Sequence, residues 1–334
     1  MYHELRNRAL GNVMRKTILA VGLAALTALA GLAHAQQYPT RLVKMVHGFP
    51  PGGNVDVIAR IMAQEMSNGL GQPIVVESKA GAVGSVAADA VAHAEPDGYT
   101  LLLVPSAHAV TGAIYPSLKY RPVDDFAWIS TVSFYPFVIC VRPESRFGTL
   151  ADLLAAAAVE PETVSFGSSG IGTIQHMTAE LLGNASRVKF LLIHYRGEAQ
   201  ASTGLLTGDI DFLISTPTVA VSSIESGAFR ALAVTSRTRW NRLPDVPTAV
   251  EAGVKGFEMT SWSGLAAPAA TPPDIVARLN AEVRRAIEVP QVKTRLESFG
   301  GDVRAMMPEA MRALVAEQLA LWARVARENN IRAE

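Results

Sequence analysis

Hydrophobic and polar residues alternate along this chain with two different periodicities. Short apolar runs of strand length are separated by stretches that repeat apolar residues at helical spacing, a pattern typical of an α/β protein with mostly parallel strands. The predicted strands cover residues 42–46, 74–77, 100–104, 137–141, 164–166, 190–193, 212–214, 231–234 and 260–266. The predicted helices cover residues 55–69, 86–94, 150–158, 173–182, 199–207, 219–226, 273–287, 292–299 and 308–328.

Local signals mark the start of two of these predicted helices. Thr149 and Asp152 have the spacing of a capping box, in which each side chain bonds the backbone N–H of the other residue. Pro272 and Pro273 open a long C-terminal helix, because proline is tolerated in the first turn of a helix. Both helix starts are therefore predicted from chemistry within a few residues.

The turn after the first predicted strand has the sequence Phe-Pro-Pro-Gly-Gly-Asn-Val-Asp and leads directly into a helix. Pro51 stiffens the exit from the strand, while Gly52 and Gly53 let the backbone approach another molecule closely. Asn54 is a candidate N-cap, and Asp56 lies in the first turn, where a carboxylate favours the helix dipole. Backbone N–H groups would then face a crevice that suits a carboxylate or phosphate. A purely structural turn is the alternative.

Other predicted strands are also followed by turns that contain glycine, hydroxyl-bearing residues or a helix start. Ligands of open α/β sheets bind at the carboxyl ends of the strands, where all these turns fall. Together they predict a polar cleft that tolerates anions. The candidate ligand-binding residues in these further turns are Gly81, Ser106, Ser168, Gly170, Gly172, Thr173, Tyr195, Arg196, Ser215 and Thr216.

Size and composition limit the class of protein. A chain of 334 residues exceeds the usual size of one core, so two domains are expected, and the absence of a linker suggests that strands cross between them. The 30 basic and 30 acidic residues show no basic face, which argues against a nucleic-acid partner. Cys140 is the single cysteine, so neither an intramolecular disulfide nor a cysteine-rich metal site is expected.

The first 35 residues have the pattern of a cleavable signal peptide. Basic residues precede an uncharged apolar segment at residues 17–32, and Ala33-His34-Ala35 then supplies the small residues of a cleavage site. We therefore expect cleavage near Ala35/Gln36 and export to the periplasm. Met14 is an alternative start to Met1, because Arg15 and Lys16 already provide a positive segment.

The motifs of common enzymes are incomplete in this sequence. Residues 167–171 read Gly-Ser-Ser-Gly-Ile and fail the nucleophile-elbow pattern at the last position. The glycines near Gly172 lack the third member of a dinucleotide fingerprint, and the seven histidines show no metal-binding spacing. The sequence therefore predicts a protein that is not an enzyme and uses no cofactor.

A series of short motifs follows along nearly the whole chain after the signal peptide. Beside the proline–glycine motif of the first turn, the series includes Tyr38-Pro39, Pro96-Asp97-Gly98-Tyr99-Thr100-Leu101, Tyr195-Arg196-Gly197, Gly208-Asp209-Ile210-Asp211 and Leu243-Pro244-Asp245-Val246-Pro247-Thr248. In this order the motifs resemble the Bug (TctC) family, the extracytoplasmic solute receptors of tripartite tricarboxylate transporters.

The resemblance implies a type II periplasmic-binding-protein fold, with two α/β lobes joined by crossing strands and a ligand cleft between them. Lobe 1 would contain residues 36–140 and 260–334, and lobe 2 residues 141–259; the chain would cross along 137–141 and return along 260–266. Family members typically hold a carboxylate through backbone amides and ordered waters, using turns that match 51–56 and 167–173 here. Hinge closure around the solute and a monomeric state are also implied.

The resemblance implies a periplasmic receptor that binds a small carboxylate and delivers it to integral-membrane transporter subunits. Ser215 stands where family members often carry an aspartate, which weakens the case for an amino-bearing ligand and favours di- or tricarboxylates or aromatic acids. A periplasmic sensor that signals to a sensor kinase without transport is one alternative, which neighbouring genes would distinguish. A periplasmic enzyme is another alternative, which turnover of a carboxylate would reveal.

Overall fold

The computed structural model describes residues 38–298 and 301–333, so the predicted signal peptide at residues 1–35 lies outside the described residues. From Arg41 onward the chain folds as one compact unit. None of the described helices is long and apolar enough to cross a membrane.

The described residues form eleven strands and ten α-helices. The strands are β1 (Val43–His47), β2 (Ile74–Ser78), β3 (Thr100–Pro105), β4 (Phe126–Pro136), β5 (Val138–Val141), β6 (Ser165–Ser168), β7 (Leu191–His194), β8 (Phe212–Ser215), β9 (Arg230–Val234), β10 (Thr260–Pro268) and β11 (Asp302–Val303). The helices are α1 (Asn54–Leu70), α2 (Ser85–Ala92), α3 (Ala107–Ile114), α4 (Leu150–Val159), α5 (Ile174–Ser186), α6 (Glu198–Thr207), α7 (Pro217–Glu225), α8 (Pro273–Glu288), α9 (Pro290–Ser298) and α10 (Pro308–Glu328).

The strands form two separate mixed sheets. The first has the order β11-β4-β10-β3-β1-β2, and the second has the order β7-β6-β8-β5-β9. In each sheet one half is parallel and the other antiparallel, since β10 runs against β3 and β4, and β5 runs against β8 and β9. The prediction of mostly parallel strands is therefore wrong, because strands that pass between the sheets enter without a crossover helix.

Most predicted elements are present, but α3, β4 and β11 were not predicted. β4 escaped notice because its run of Ser130, Thr131 and Ser133 is fully buried although polar. Hydrogen bonds replace water there: the Thr131 hydroxyl donates to the Arg304 carbonyl over 2.8 Å, and the Ser130 hydroxyl donates to the Thr131 carbonyl over 2.9 Å. α3 is short and buried on most sides, so it lacks the amphipathic pattern by which a surface helix is recognised.

Thr235 joins the two chain segments that run between the sheets. Its hydroxyl accepts from the N–H of Phe137, which links β4 to β5, over 2.8 Å and donates to the carbonyl of Met259, which precedes β10, over 2.6 Å. Its backbone N–H and carbonyl bond the same two residues over 3.0 and 2.8 Å. The sheets therefore change at Phe137 and Met259, while the predicted lobe boundaries at residues 140/141 and 259/260 stay a prediction.

The hydrophobic core is divided among these layers. One cluster packs under the first sheet around Trp128 and Trp262, and another lies on one face of the second sheet around Cys140 and Leu213. The third cluster combines α3 and Trp322 of α10 with residues of the second sheet. α3 therefore follows a strand of the first sheet and packs with the second, which places its neighbouring turns near both sheets.

Candidate functional site

The proline–glycine turn (residues 49–54) joins β1 to α1, and Asp56 holds it from the inside. One carboxylate oxygen lies 3.0 Å from His47 Nε2, and the other accepts from the Gly52 N–H over 3.0 Å and from Arg60 Nε over 2.9 Å. Hydrogen bonding to Arg60 is the main reason why the pKa of Asp56 falls to about 2. Because Asp56 is only 3% exposed, its position favours support of the turn over contact with a ligand.

The tautomer of His47 follows from its second contact. The Phe49 N–H donates to His47 Nδ1 over 3.4 Å, so Nδ1 is the acceptor and Nε2 carries the proton that faces Asp56. His47 is fully buried. The imidazole of His47 therefore connects the end of β1 to the beginning of the turn and to the Asp56 carboxylate.

The first helical residue of α1 is Asn54, and its N-cap is Gly53, which provides no side-chain cap. The prediction that Asn54 caps this helix is therefore wrong, because Asn54 already lies inside it. The first bond within the helix is from the Val57 N–H to the Gly53 carbonyl over 3.0 Å. The backbone N–H groups of Asn54 and Val55 have no hydrogen-bond acceptor among residues 38–298 and 301–333, as expected for a helix N-terminus that can receive an anion.

The next turn contains the predicted site residue Gly81 and packs directly on the proline–glycine turn. A Cβ on Gly48 would lie 2.3 Å from the Gly84 Cα, so the two backbones approach as closely as only glycine permits. Val83 adopts a left-handed conformation with φ 52°, which is unfavourable for a β-branched residue. The Thr111 hydroxyl of α3 lies 3.0 Å from the Ala107 carbonyl of its own helix and 3.4 Å from the Val83 carbonyl, so α3 packs against this turn.

Polar side chains from distant parts of the first sheet meet beside Asn54. The predicted site residue Ser106 is buried, and its hydroxyl lies 2.6 Å from that of Ser261. Burial raises the pKa of the Tyr135 hydroxyl, against the opposing effect of polar contacts with Ser261, Asn54 and Ser263. Sequence reasoning missed Tyr135, Ser261 and Ser263, because only the antiparallel register of β10 and β4, which pairs Ser261 with Tyr135, brings them together.

The serine–glycine turn (residues 167–173) leads from β6 into α5 and uses its hydroxyls internally. The Ser168 hydroxyl donates to the Gly170 carbonyl over 2.7 Å and accepts from the Gly170 N–H over 3.1 Å. Thr173 is the N-cap of α5: its hydroxyl accepts from the His176 N–H over 3.4 Å and donates to the Gly170 carbonyl over 2.9 Å. Both predicted site residues thus shape the turn, and their hydroxyls already have partners within it.

A buried histidine also supports the serine–glycine turn. The Gly172 N–H donates to His176 Nδ1 over 3.0 Å, and a Cβ on Gly172 would lie 2.1 Å from Cδ1 of Ile114 in α3. The N–H groups of the next two residues, Ile174 and Gln175, meet no acceptor in the described part of the chain. This turn therefore packs on α3 and begins a helix with free N–H groups, as the proline–glycine turn does.

Tyr195 and Arg196 follow β7 beside the serine–glycine turn, since the Tyr195 N–H donates to the Ser168 carbonyl over 2.9 Å. The Tyr195 hydroxyl packs over Gly204, where a Cβ would lie 2.3 Å from it, and burial together with Asp209 raises its pKa. Arg196 is exposed, and its guanidinium contacts no acceptor that the described residues provide. These two ligand-contact predictions stay predictions: the backbone lies at the turn, while the Tyr195 hydroxyl is directed to α6.

Ser215 and Thr216 do meet a carboxylate, and it belongs to the protein. One oxygen of Glu198 accepts from the Ser215 hydroxyl over 2.8 Å and from the Thr216 N–H over 2.7 Å. Its other oxygen accepts from the Thr216 hydroxyl over 2.9 Å. Sequence reasoning missed Glu198, although its place at the start of a helix after a strand was a signal for it.

Cavity size alone does not locate the site. A cavity of about 10 Å³, room for roughly one water molecule, lies behind the proline–glycine turn and is bordered by Phe49, Gly84 and Tyr120. Grooves of about 640, 560 and 550 Å³ lie away from both turns. No group of three or more metal-ligating side chains is present among the described residues. The candidate site is therefore defined by its two helix-starting turns and the polar cluster between the crossing strands.

The two mixed sheets, joined by crossing strands, define a periplasmic binding protein. The solved structure of the periplasmic binding protein BugD aligns with a TM-score of 0.75 and 33% identity, covering 89% of this chain and 100% of that chain. Residues 58–331 match the model of the tripartite tricarboxylate transporter family receptor, TctC. The chain belongs to this family, which confirms both the resemblance and the predicted fold class.

The similarity to known relatives extends over nearly the whole chain. A UPF0065 protein of a Pseudomonas species is 36% identical over 333 residues, covering 99% of both chains. MatC of Rhodopseudomonas palustris, solved with bound malate, has a TM-score of 0.73 and 33% identity, covering 86% of this chain and 99% of that one. A second R. palustris protein, solved with adipate, has a TM-score of 0.77 and 31% identity, covering 88% and 99%.

Proposed function

We propose that this chain is a periplasmic receptor that binds a small carboxylate and delivers it to the membrane subunits of a tripartite tricarboxylate-type transporter. The ligand would lie between lobe 1, residues 36–140 and 260–334, and lobe 2, residues 141–259. The mature protein would be a monomer that begins near Gln36, and it would use no cofactor and catalyse no reaction. Backbone amides and ordered waters would hold one carboxylate of the ligand.

One observation carries the proposal: each sheet presents a glycine-rich turn that starts a helix and leaves N–H groups without an acceptor in the described part of the chain. In the first sheet these groups are the N–H groups of Asn54 and Val55, and in the second they are those of Ile174 and Gln175. The partial positive charge of a helix N-terminus favours a carboxylate or another small anion.

The cations near the proline–glycine turn support a singly charged group over a phosphate. Arg60 already pairs with Asp56 over 2.9 Å, and Lys79 pairs with Glu77 over 3.3 Å. A phosphate with nearly two charges would need at least one further cation, whereas a carboxylate can be held by neutral donors alone. The malate and adipate bound to the two R. palustris relatives are carboxylates, which supports the same ligand class.

Gly53 offers a test that separates binding from folding. Its φ of −75° and ψ of 169° suit any residue, and an added Cβ would meet only the Pro50 carbonyl oxygen at 3.4 Å. We expect Gly53→Val to place a branched side chain in front of the helix N-terminus and to abolish carboxylate binding, while Gly53→Ala weakens it less. Isothermal titration with the carboxylates found by a thermal-shift screen would measure both variants.

The control for this test is Val159→Ala, at an exposed position in α4. The control should bind as the wild type does, and both Gly53 variants should keep the wild-type melting temperature within a few degrees. Unchanged affinity in Gly53→Val would remove the proline–glycine turn from the site.

Delivery to a transporter needs a test in cells. Deleting the gene should abolish uptake of the radiolabelled ligand, and expression of the wild-type chain, but not of Gly53→Val, should restore it. Normal uptake in the deletion strain would favour the sensor function instead. N-terminal sequencing of the exported protein should begin at Gln36.

A further inference from the structure

Glu198 is a carboxylate placed at a helix N-terminus within the candidate site. It lies in the first turn of α6, and its oxygens accept from three donors at the end of β8 and the start of α7. Three of the roughly four acceptor positions of a carboxylate are thereby used. One position on the oxygen that faces the Thr216 hydroxyl remains.

Within residues 38–298 and 301–333, no cation pairs with this carboxylate. Burial raises the pKa of Glu198, and the N–H of Thr216 and the hydroxyls of Ser215 and Thr216 oppose that shift. Glu198 as a whole residue is half-buried, between the core and the solvent-exposed surface.

Glu198 lies at the edge of the second sheet that carries the serine–glycine turn. Ser215, which bonds it, pairs with Val138 in the second sheet, and Val138 follows Tyr135 by three residues. Burial raises the pKa of Tyr135 and of Cys140, and the negative charge of Glu198 adds to both shifts. β8 runs parallel to β6, with Leu213 opposite Gly167, so the end of β8 that Glu198 bonds lies beside the serine–glycine turn of the candidate site.

We propose that Glu198 selects the class of ligand: the solute is a monocarboxylate whose far end carries a hydrogen-bond donor, either an ammonium or a hydroxyl group. This inference rests on the proposed function. A second carboxylate of the ligand would meet a like charge at Glu198, and the donors of Ser215 and Thr216 that could bind it are already used. A hydrogen-bond donor at the far end of the ligand would instead bond the remaining acceptor position of the Glu198 carboxylate.

This proposal reverses the ligand preference expected from Ser215 alone. The aspartate that family members often carry at that position is absent, but Glu198 places a carboxylate against the Ser215 hydroxyl over 2.8 Å. Glu198, which follows β7 at the start of α6, therefore supplies an acid at the carboxyl end of β8. By the same reasoning this chain should differ from the two R. palustris relatives, which were solved with the dicarboxylates malate and adipate.

Matched ligands would test the proposal by titration calorimetry at neutral pH. Each dicarboxylate is compared with the amino and hydroxy acid of the same length: succinate with 4-aminobutyrate and 4-hydroxybutyrate, and adipate with 6-aminohexanoate and 6-hydroxyhexanoate. Butyrate and hexanoate serve as plain monocarboxylates. In at least one length series we expect the donor-bearing acids to bind tenfold or more tightly than the dicarboxylate.

Variants of Glu198 then assign this preference to the residue. Glu198→Gln should reduce the preference to less than threefold, because the like-charge repulsion is removed while the shape is kept. Glu225→Gln, at an exposed position at the end of α7, should leave the preference unchanged. Glu198→Ala provides a second test if the amide variant melts early, and it should likewise lose the preference.

The outcomes separate this inference from the proposed function. Failure of every ligand to bind, including the plain monocarboxylates, would contradict the proposed function itself. Binding of the monocarboxylates with equal or tighter binding of the dicarboxylates, or a preference that Glu198→Gln leaves unchanged, would overturn the role of Glu198 alone.

Discussion

The proline–glycine turn and the serine–glycine turn both start a helix, yet different interactions support them. In the first turn the Gly52 N–H bonds the ionised Asp56, which also bonds His47 and Arg60. In the second turn the Gly172 N–H bonds the ring of His176, and neutral hydroxyls complete the network. The same backbone shape therefore rests on a carboxylate in one turn and on a histidine ring and hydroxyl groups in the other.

Packing differs between the two turns as well. Gly52 has φ 81° with open space around it, whereas Gly172 has φ 71° and lies against Ile114. The first turn needs glycine for its backbone conformation alone, and the second also needs it for close contact with α3. A helix N-terminus that binds an anion can thus be built by electrostatic support or by steric fit.

The largest effect should follow the loss of the Asp56 carboxylate. Asp56→Ala leaves the Gly52 N–H and the buried His47 without their acceptor, so we expect a loss of about 3 kcal/mol in the free energy of unfolding and weaker ligand binding. Arg60→Ala is the matched comparison: the Arg60 side chain is 59% exposed, and its removal should cost much less than the loss of Asp56. Urea denaturation would measure both, and equal effects would contradict a buried, charge-based support.

The two glycines allow a direct comparison of the turns. Gly52→Ala should cost about 1 kcal/mol from the left-handed backbone alone. Gly172→Ala should cost about 2 kcal/mol, because the methyl group must also displace the flexible end of Ile114. In an Ile114→Ala background the obstructing side chain is absent. There Gly172→Ala should lose the steric part of its cost in unfolding free energy and keep only the part due to the left-handed backbone. If both glycine variants unfold at the same denaturant concentration, steric fit does not distinguish the turns.

Low pH should destabilise the proline–glycine turn more than the serine–glycine turn. Because the pKa of Asp56 is lowered from 3.8 to about 2 in the folded protein, its stabilisation is complete above about pH 4 and is lost as the pH falls towards 2. After allowance for the exposed Arg60, this contribution is about 1–2 kcal/mol. The difference in unfolding free energy between the wild type and Asp56→Asn should therefore narrow over this pH range. A constant difference would show that Asp56 does not titrate there.

The smallest effect concerns the cap of α5. Thr173→Val removes the hydroxyl that caps the helix and should cost about 1 kcal/mol, while Thr173→Ser should be close to neutral. α1 has no such side-chain cap to lose, since its N-cap is Gly53. Thermal unfolding of the two variants, with ligand titration alongside, shows whether the hydroxyl acts through helix stability or through the ligand.

Short-range chemistry could be predicted well from the sequence. The capping box of Thr149 and Asp152 is confirmed, with both reciprocal hydrogen bonds present, and Pro273 occupies the first turn of α8 as predicted. The turns at residues 49–54 and 167–173 both lead into helices as the glycine and hydroxyl patterns indicated. The prediction failed at Asn54, where one position separates an N-cap from the first helical residue.

Long-range partners could not be predicted in the same way. The hydroxyls of Ser106 and Ser261 meet across 155 residues of sequence, and Tyr135 joins them through the antiparallel pairing of β4 with β10. β4 was itself missed, because its buried serines and threonine look like surface positions until their hydrogen bonds are known.

The sequence by itself determined the alternation of strands and helices, the glycine-rich helix starts and the family, because these depend on patterns along the chain. Only the tertiary structure decided that Asp56 supports its turn from inside and that Glu198 occupies the donors of Ser215 and Thr216. The direction of a carboxylate depends on which N–H and hydroxyl groups folding places around it. Those groups come from separate elements, so no local pattern encodes their meeting.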